Sequence, residues 1–118
     1  MLKIRRLIKS FIYASHGLRG VFKHEYNFRV ELLVALLAIG LAWWLDFNYL
    51  EWVLLLLVCG LVLLMEVMNS VVEMVSDALK PKLDTYVKQV KDMAAAAVFL
   101  SSALAIIVGL ILFGYHLR

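Results

Sequence analysis

Three long apolar stretches dominate the chain, at about residues 30–47, 52–79 and 93–115. A helix needs roughly 20 apolar residues to cross about 30 Å of hydrocarbon, and each stretch is near or above that length. The 118 residues are 64% hydrophobic with a mean hydropathy of +0.90, whereas soluble domains average about 45–50% apolar residues. The sequence therefore excludes a soluble globular fold. It predicts an all-α membrane protein with three transmembrane helices in a single domain, 1–118.

The segment 1–29 has a different pattern. Apolar residues recur at spacings of three and four while basic residues fill the other side, which predicts an amphipathic surface helix with a bend or break at Gly17 and Gly20. The segment contains seven basic residues and one acidic residue, Glu25. That charge favours an anionic membrane surface and no nucleic-acid partner.

The distribution of basic residues predicts the orientation of the chain. The loop at 80–91 carries four lysines, whereas the loop at 46–51 has no basic residue. Because cytoplasmic loops carry the excess of Lys and Arg, we expect the N-terminus and the 80–91 loop to be cytoplasmic.

The second stretch ends in a polar stripe. Glu66, Asn69, Glu73 and Asp77 fall at i, i+3, i+7 and i+11, within about 80° of one helix face. The stripe is either the solvated face of a protruding helix end, polar contact between spans, or a functional site. For Asp77 a solvated face is as good an explanation as a site. Glu66 follows a long apolar run, and an ionisable residue so placed indicates function.

Further charges are expected at the same membrane level. Glu25, Arg29 and Glu31 stand where the N-terminal segment enters the first span, and Lys91 and Asp92 stand where the loop enters the third. Carboxylates at this density repel one another unless cations bridge them, and oxygen ligands suit Mg²⁺ held together with substrate phosphates. The sequence contains no Walker A or GxGxxG motif. A magnesium nucleotide site would then depend on metal, Lys and Arg.

Several motifs resemble the prokaryotic diacylglycerol kinase family. They are ExxNSxxExxxD at 66–77, KDM at 91–93, GLR at 17–19, the pattern from Glu25 to Glu31 that ends in FRxE, and WLD at 44–46. The resemblance implies a homotrimer in the bacterial cytoplasmic (inner) membrane that transfers the γ-phosphoryl group of Mg-ATP to a lipid hydroxyl.

The resemblance also implies residue roles. Glu66 would be the catalytic base, and Glu25 and Glu73 the Mg²⁺ ligands. The ATP site would comprise Arg6, Tyr13, Glu25, Glu73, Lys91 and Asp92, and the lipid site Arg19, Arg29, Glu31, Glu66 and Asn69.

The expected lipid is diacylglycerol, with undecaprenol as the alternative. FRxE, WLD and KDM resemble the diacylglycerol branch, whereas KSFxxA at 9–14 and EYNF at 25–28 resemble the undecaprenol kinase branch. The loop of Lys82, Leu83 and Asp84 does not match the acidic and aromatic residues that contact nucleotide in the family.

Two other classes of function are alternatives to a kinase. A small transporter would carry acids accessible from both faces, but only Asp46 and Glu51 are expected away from the cytoplasmic side. An assembly subunit without chemistry explains the Ala-rich start of the third span and leaves the polar stripe unexplained. The charge asymmetry favours an enzyme.

Overall fold

The computed structural model describes residues 2–79 and 84–118, which form four α-helices. They are α1 (Leu2–His24), α2 (Tyr26–Trp44), α3 (Tyr49–Leu79) and α4 (Asp84–His116). The helices α2, α3 and nearly all of α4 are long and apolar enough to cross a membrane. The predicted all-α architecture with three spanning helices is therefore confirmed.

The helices begin before the apolar stretches from which they were predicted, whereas α2 ends at Trp44 and not at residue 47, because the chain turns there. α2 begins at Tyr26 instead of residue 30, α3 begins at Tyr49 instead of 52, and α4 begins at Asp84 instead of 93. Apolarity marks the part of a helix that suits hydrocarbon, but backbone hydrogen bonding continues into the polar flanks. Charged residues near these ends, such as Glu31 and Lys91, consequently lie on rigid helix.

The break after α1 was predicted at the wrong place. The helix passes through Gly17 and Gly20 without interruption, and the chain is extended at Glu25, with φ −107° and ψ 106°. A glycine costs a helix about 1 kcal/mol relative to alanine and does not end it. None of the α1 side chains in the described part of the chain is buried, although α1 contacts both α2 and α3.

A tight turn joins α2 to α3. Asp46 has a positive φ of 56°, and the Asp46 and Phe47 amides donate to the Trp43 and Ala42 carbonyls at 3.3 and 3.1 Å, which is a Schellman motif. Asn48 then caps α3. Its amide donates to Glu51 Oε1, and its Oδ1 accepts from the Glu51 amide, both at 2.9 Å, as in a capping box.

The last turn of α4 closes over this α2–α3 turn. His116 Nε2 lies 2.6 Å from Glu51 Oε2, and the buried Phe47 ring stacks on the His116 ring with centroids 4.8 Å apart. Phe47 also packs with Ala42 and Leu112 in the apolar core. This end of the bundle is thereby fixed by backbone, polar and aromatic contacts together.

Polar contacts join α3 and α4 at both ends. Lys91 Nζ donates to Asp77 Oδ1 at 2.9 Å, and the His116–Glu51 contact lies at the opposite end. The α3 segment between these contacts is about 39 Å long and the α4 segment about 38 Å, at 1.5 Å per residue. Both distances exceed a hydrocarbon core of about 30 Å. The two polar end contacts therefore bracket the apolar part of the bundle.

Candidate active site

Burial along the α3 stripe increases toward the apolar part of the helix. Asp77 is exposed, Glu73 and Asn69 are half-buried, and Glu66 retains only 3% of its surface. A solvated helix end accounts for Asp77 but not for Glu66, because burying an ionisable group costs several kcal/mol unless it faces a partner or a polar cavity.

The partner of Glu66 is Glu31 of α2. The two carboxyl groups lie within hydrogen-bonding reach of each other, with Glu25 and Glu73 within electrostatic range of Glu66. Glu31 Oε2 is buried, and among the described residues it has no hydrogen-bond partner. Four carboxyl groups from three parts of the chain thus converge at the α1 end of the bundle.

Side chains on α3 orient the outer part of this cluster. Asn69 Nδ2 donates to Glu73 Oε1 at 3.1 Å, and Ser70 Oγ donates to the Glu66 carbonyl at 3.1 Å. The resemblance implies a place for Asn69 at the lipid, and in the structure its amide contacts Glu73. Because the amide takes up one oxygen of Glu73, the second oxygen remains available to a cation.

The cluster is not a complete metal cage. Within 2–79 and 84–118, no three Asp, Glu, His or Cys side chains come close enough to hold a metal ion together. Mg²⁺ commonly uses one or two protein carboxylates plus substrate phosphates, so two of these carboxylates would be enough to hold it. Glu73 and Glu25 are the carboxylates on the outer side of Glu66.

Two predicted site residues have partners outside the cluster of four carboxylates. Arg29 Nη1 donates to the Lys23 carbonyl at 3.1 Å, so that it satisfies one of the free carbonyls at the C-terminus of α1. Lys91 pairs with Asp77. Asp92 follows on α4 with an exposed side chain.

The predicted residues of α1 are not brought to the cluster. Arg6, Tyr13 and Arg19 are all exposed. In the part of the chain that the structure describes, no hydrogen bond or ion pair connects their side chains to the carboxylates.

An apolar groove of about 400 Å³ opens beside Glu31, between α2, α3 and α4. Glu31 is its charged lining residue, and the groove reaches Phe113 near the far end of α4. Small residues on one face of α4, Ser102, Ala105 and Gly109, leave space for it. From the sequence, the alanines at 94–97 were the expected place of close helix approach. The pattern that would have predicted the groove is the spacing of the small residues 102, 105 and 109 at i, i+3 and i+7.

The facing carboxyl groups generate a prediction about stability. Glu31→Gln replaces an unpaired buried oxygen with an amide that can donate to Glu66, and it removes like-charge repulsion. We expect an apparent Tm higher by roughly 4 °C in detergent at neutral pH, since one regained hydrogen bond contributes about 1 kcal/mol. Thermal unfolding followed by circular dichroism measures this.

The matched control is Glu73→Gln on α3. Glu73 already accepts a hydrogen bond from Asn69, so replacing its carboxylate with the amide of Gln should change the apparent Tm by less than about 1 °C. A lower Tm for Glu31→Gln than for the unmodified protein would show that the carboxyl pair stabilises the fold.

Comparison with known proteins assigns the chain to a family. The family model "Prokaryotic diacylglycerol kinase" matches residues 12–113. A diacylglycerol kinase of Escherichia coli K12 is 36% identical over 111 residues, covering 94% of this chain and 91% of the relative. One from Helicobacter pylori 26695 is 38% identical, covering 79% and 73%.

A relative of the other branch is also similar. The undecaprenol kinase of Bacillus subtilis 168 is 27% identical over 94% of this chain and 90% of its own length. Both names describe enzymes that phosphorylate lipid alcohols. The chain belongs to the prokaryotic diacylglycerol kinase family and is a lipid kinase with three helices that can span a membrane.

Proposed function

We propose that this enzyme transfers the γ-phosphoryl group of Mg-ATP to the hydroxyl of diacylglycerol, giving phosphatidic acid. The observation that carries the proposal is the burial of the Glu66 carboxylate against Glu31, at the inner end of the polar stripe of α3. A base at that depth meets a hydroxyl that stays within the bilayer, while the outer carboxylates lie where nucleotide arrives from water.

In the proposed reaction, Glu66 accepts the proton of the lipid hydroxyl as the hydroxyl oxygen attacks the γ-phosphorus. The bond between the γ-phosphorus and the β–γ bridging oxygen breaks, and ADP leaves. Glu31, which lines the apolar groove beside Glu66, accepts a hydrogen bond from the lipid headgroup. Positioning of this kind supplies most of the catalysis in phosphoryl transfer.

The nucleotide is held by charges on the outer side of Glu66. Glu73 and Glu25 would hold Mg²⁺, which would supply charge neutralisation on the phosphates. Lys91 faces the phosphates, and Asp92, Arg6 and Tyr13 complete the nucleotide site.

The comparison with relatives supports diacylglycerol over undecaprenol. The identity to the Escherichia coli diacylglycerol kinase is 36%, against 27% to the Bacillus subtilis undecaprenol kinase. The groove that begins at Glu31 offers an apolar surface for the chains of either lipid beside the proposed headgroup position. Arg19, Arg29 and Asn69 remain the proposed polar surround of the headgroup.

We also infer a location in the bacterial inner membrane with the N-terminus in the cytoplasm. The basic residues of 1–29 and 80–91 support this orientation. With it, α1 lies along the cytoplasmic surface through its apolar face, and ATP reaches the carboxylates from the compartment in which it is made.

Lipid phosphorylation in mixed micelles tests the reaction. Purified protein with Mg²⁺ and labelled ATP should phosphorylate diacylglycerol faster than undecaprenol, and Glu66→Gln should lose more than tenfold in kcat, about 1.4 kcal/mol of transition-state stabilisation. Asp46→Asn, an exposed change in the α2–α3 turn, is the control and should keep full activity.

Two results would contradict these assignments. Retention of more than about a tenth of kcat by Glu66→Gln would exclude it as the base. A kcat/KM at least about tenfold higher for undecaprenol would reverse the lipid assignment.

The metal assignment has its own test. Glu73→Gln and Glu25→Gln should each raise the Mg²⁺ concentration for half-maximal rate and the KM for Mg-ATP, because each removes a charged oxygen ligand. The KM for lipid should stay within about twofold. An unchanged Mg²⁺ requirement combined with a raised lipid KM would move both carboxylates to the headgroup.

A homotrimer is the proposed assembly, with the number three supplied by the family resemblance. Most large apolar side chains of α2, α3 and α4 are exposed in the single chain. Native mass spectrometry in detergent should give about three times 13.4 kDa, near 40 kDa. Monomers alone at full activity would contradict it.

A further inference from the structure

Asp77 has no role in the reaction proposed above, yet it makes a direct contact to a residue that does. Its Oδ1 accepts a hydrogen bond from Lys91 Nζ at 2.9 Å. The Lys91 side chain is 35% exposed and that of Asp77 is 66% exposed. An ion pair this exposed typically contributes only about 0.2–1 kcal/mol to stability. Its effect on where the ammonium lies matters more than its energy.

Lys91 lies near two carboxylates of α3. Asp77 is one helical turn beyond Glu73, about 6 Å along the axis, and the charge of Glu73 also acts on the Lys91 ammonium. Of the two, Asp77 makes the hydrogen bond, while Glu73 accepts its hydrogen bond from Asn69. The structure thus separates the two acids by partner: an amide for Glu73 and an ammonium for Asp77.

This separation has a chemical consequence. Lysine carries a compact charge on a flexible four-carbon stem, and an ammonium on Glu73 would neutralise the carboxylate that is proposed to hold Mg²⁺. Two cations on one carboxylate would also repel each other. Holding the ammonium one turn away leaves Glu73 open to the metal and keeps Lys91 close enough to meet the same phosphates.

We propose that Asp77 is a positioning residue that holds the Lys91 ammonium one helical turn from Glu73, so that nucleotide and metal find both groups available. The proposal rests on the proposed function, which supplies the roles of Lys91 and Glu73. Asp77 touches neither substrate in this scheme and acts through Lys91.

The test is a comparison of Asp77→Asn and Asp77→Glu in the full chain in mixed micelles. Asp77→Asn should raise the KM for Mg-ATP and the Mg²⁺ requirement about five- to tenfold, with kcat within about twofold, since it weakens nucleotide binding and leaves the base in place. Asp77→Glu keeps the charge and should restore both values to within about twofold.

Asp46→Asn is the matched control, because it makes the same change at an exposed position in the α2–α3 turn. Its backbone has φ 56°, which Asn tolerates well. It should leave the KM for Mg-ATP unchanged. A lower apparent Tm for Asp77→Asn with an unchanged KM would overturn the proposal and reduce the pair to a contact between helix ends.

Lys91→Met separates failure of the proposal from failure of the proposed function. If Lys91→Met raises the KM for Mg-ATP and Asp77→Asn adds nothing in that background, the positioning role is supported. If Lys91→Met raises it and Asp77→Asn alone does not, positioning is overturned while the nucleotide role of Lys91 stands. If Lys91→Met leaves the KM for Mg-ATP unchanged, the nucleotide role of Lys91 is wrong, and the positioning role of Asp77 is wrong as well.

Discussion

Enclosing carboxylates within an apolar helix bundle is the constraint around which this structure is arranged. A charged group in hydrocarbon must face a partner or a polar cavity, and Glu66 meets Glu31 across the α2–α3 interface. Both helices must carry their acids to the same level, which fixes how α2 and α3 lie against each other. Two carboxyl groups in contact repel each other when both are ionised, so the pair depends on a shared proton and on the packed bundle around it.

The two ends of the bundle differ in how they are held. At the α2–α3 turn, a Schellman motif, a capping box and the stacking of Phe47 on His116 give a closed, rigid end. At the opposite end, the carboxylates lie between half-buried and exposed surroundings, and one buried oxygen of Glu31 has no partner in the described residues. Proteins commonly hold destabilised groups at a functional site against a well-packed scaffold.

Much of this architecture follows from local sequence pattern. The spans could be predicted because runs of apolar residues match bilayer thickness, and the stripe from Glu66 to Asp77 because helical period places spacings of three and four on one face. The ends of the helices could not be predicted from apolarity, since Arg29 and Lys91 are polar residues on continuous helix.

The contacts between distant residues also lay beyond the sequence. Glu51 and His116 are 65 positions apart, and Asp77 and Lys91 are 14 apart. Neither pair has a periodic signature, because such pairing depends on how the helices fold back on each other. The same holds for Glu31 and Glu66. Each could be named as a polar residue near the site, but their direct contact comes from packing.

The two polar end contacts between α3 and α4 make this helix pair a rod of nearly fixed length. The distance between the two contacts exceeds the thickness of a hydrocarbon core, about 30 Å, so the helix pair keeps its length when the surrounding bilayer becomes thinner or thicker. The remaining adjustments are tilt of the rod or deformation of the bilayer around it, at a cost of fractions of a kcal/mol per Å. Tilt changes the depth of Glu66 below the headgroups. The thickness of the host membrane therefore acts on the alignment between an acceptor hydroxyl and its base, separately from the chemical identity of the lipid that is phosphorylated.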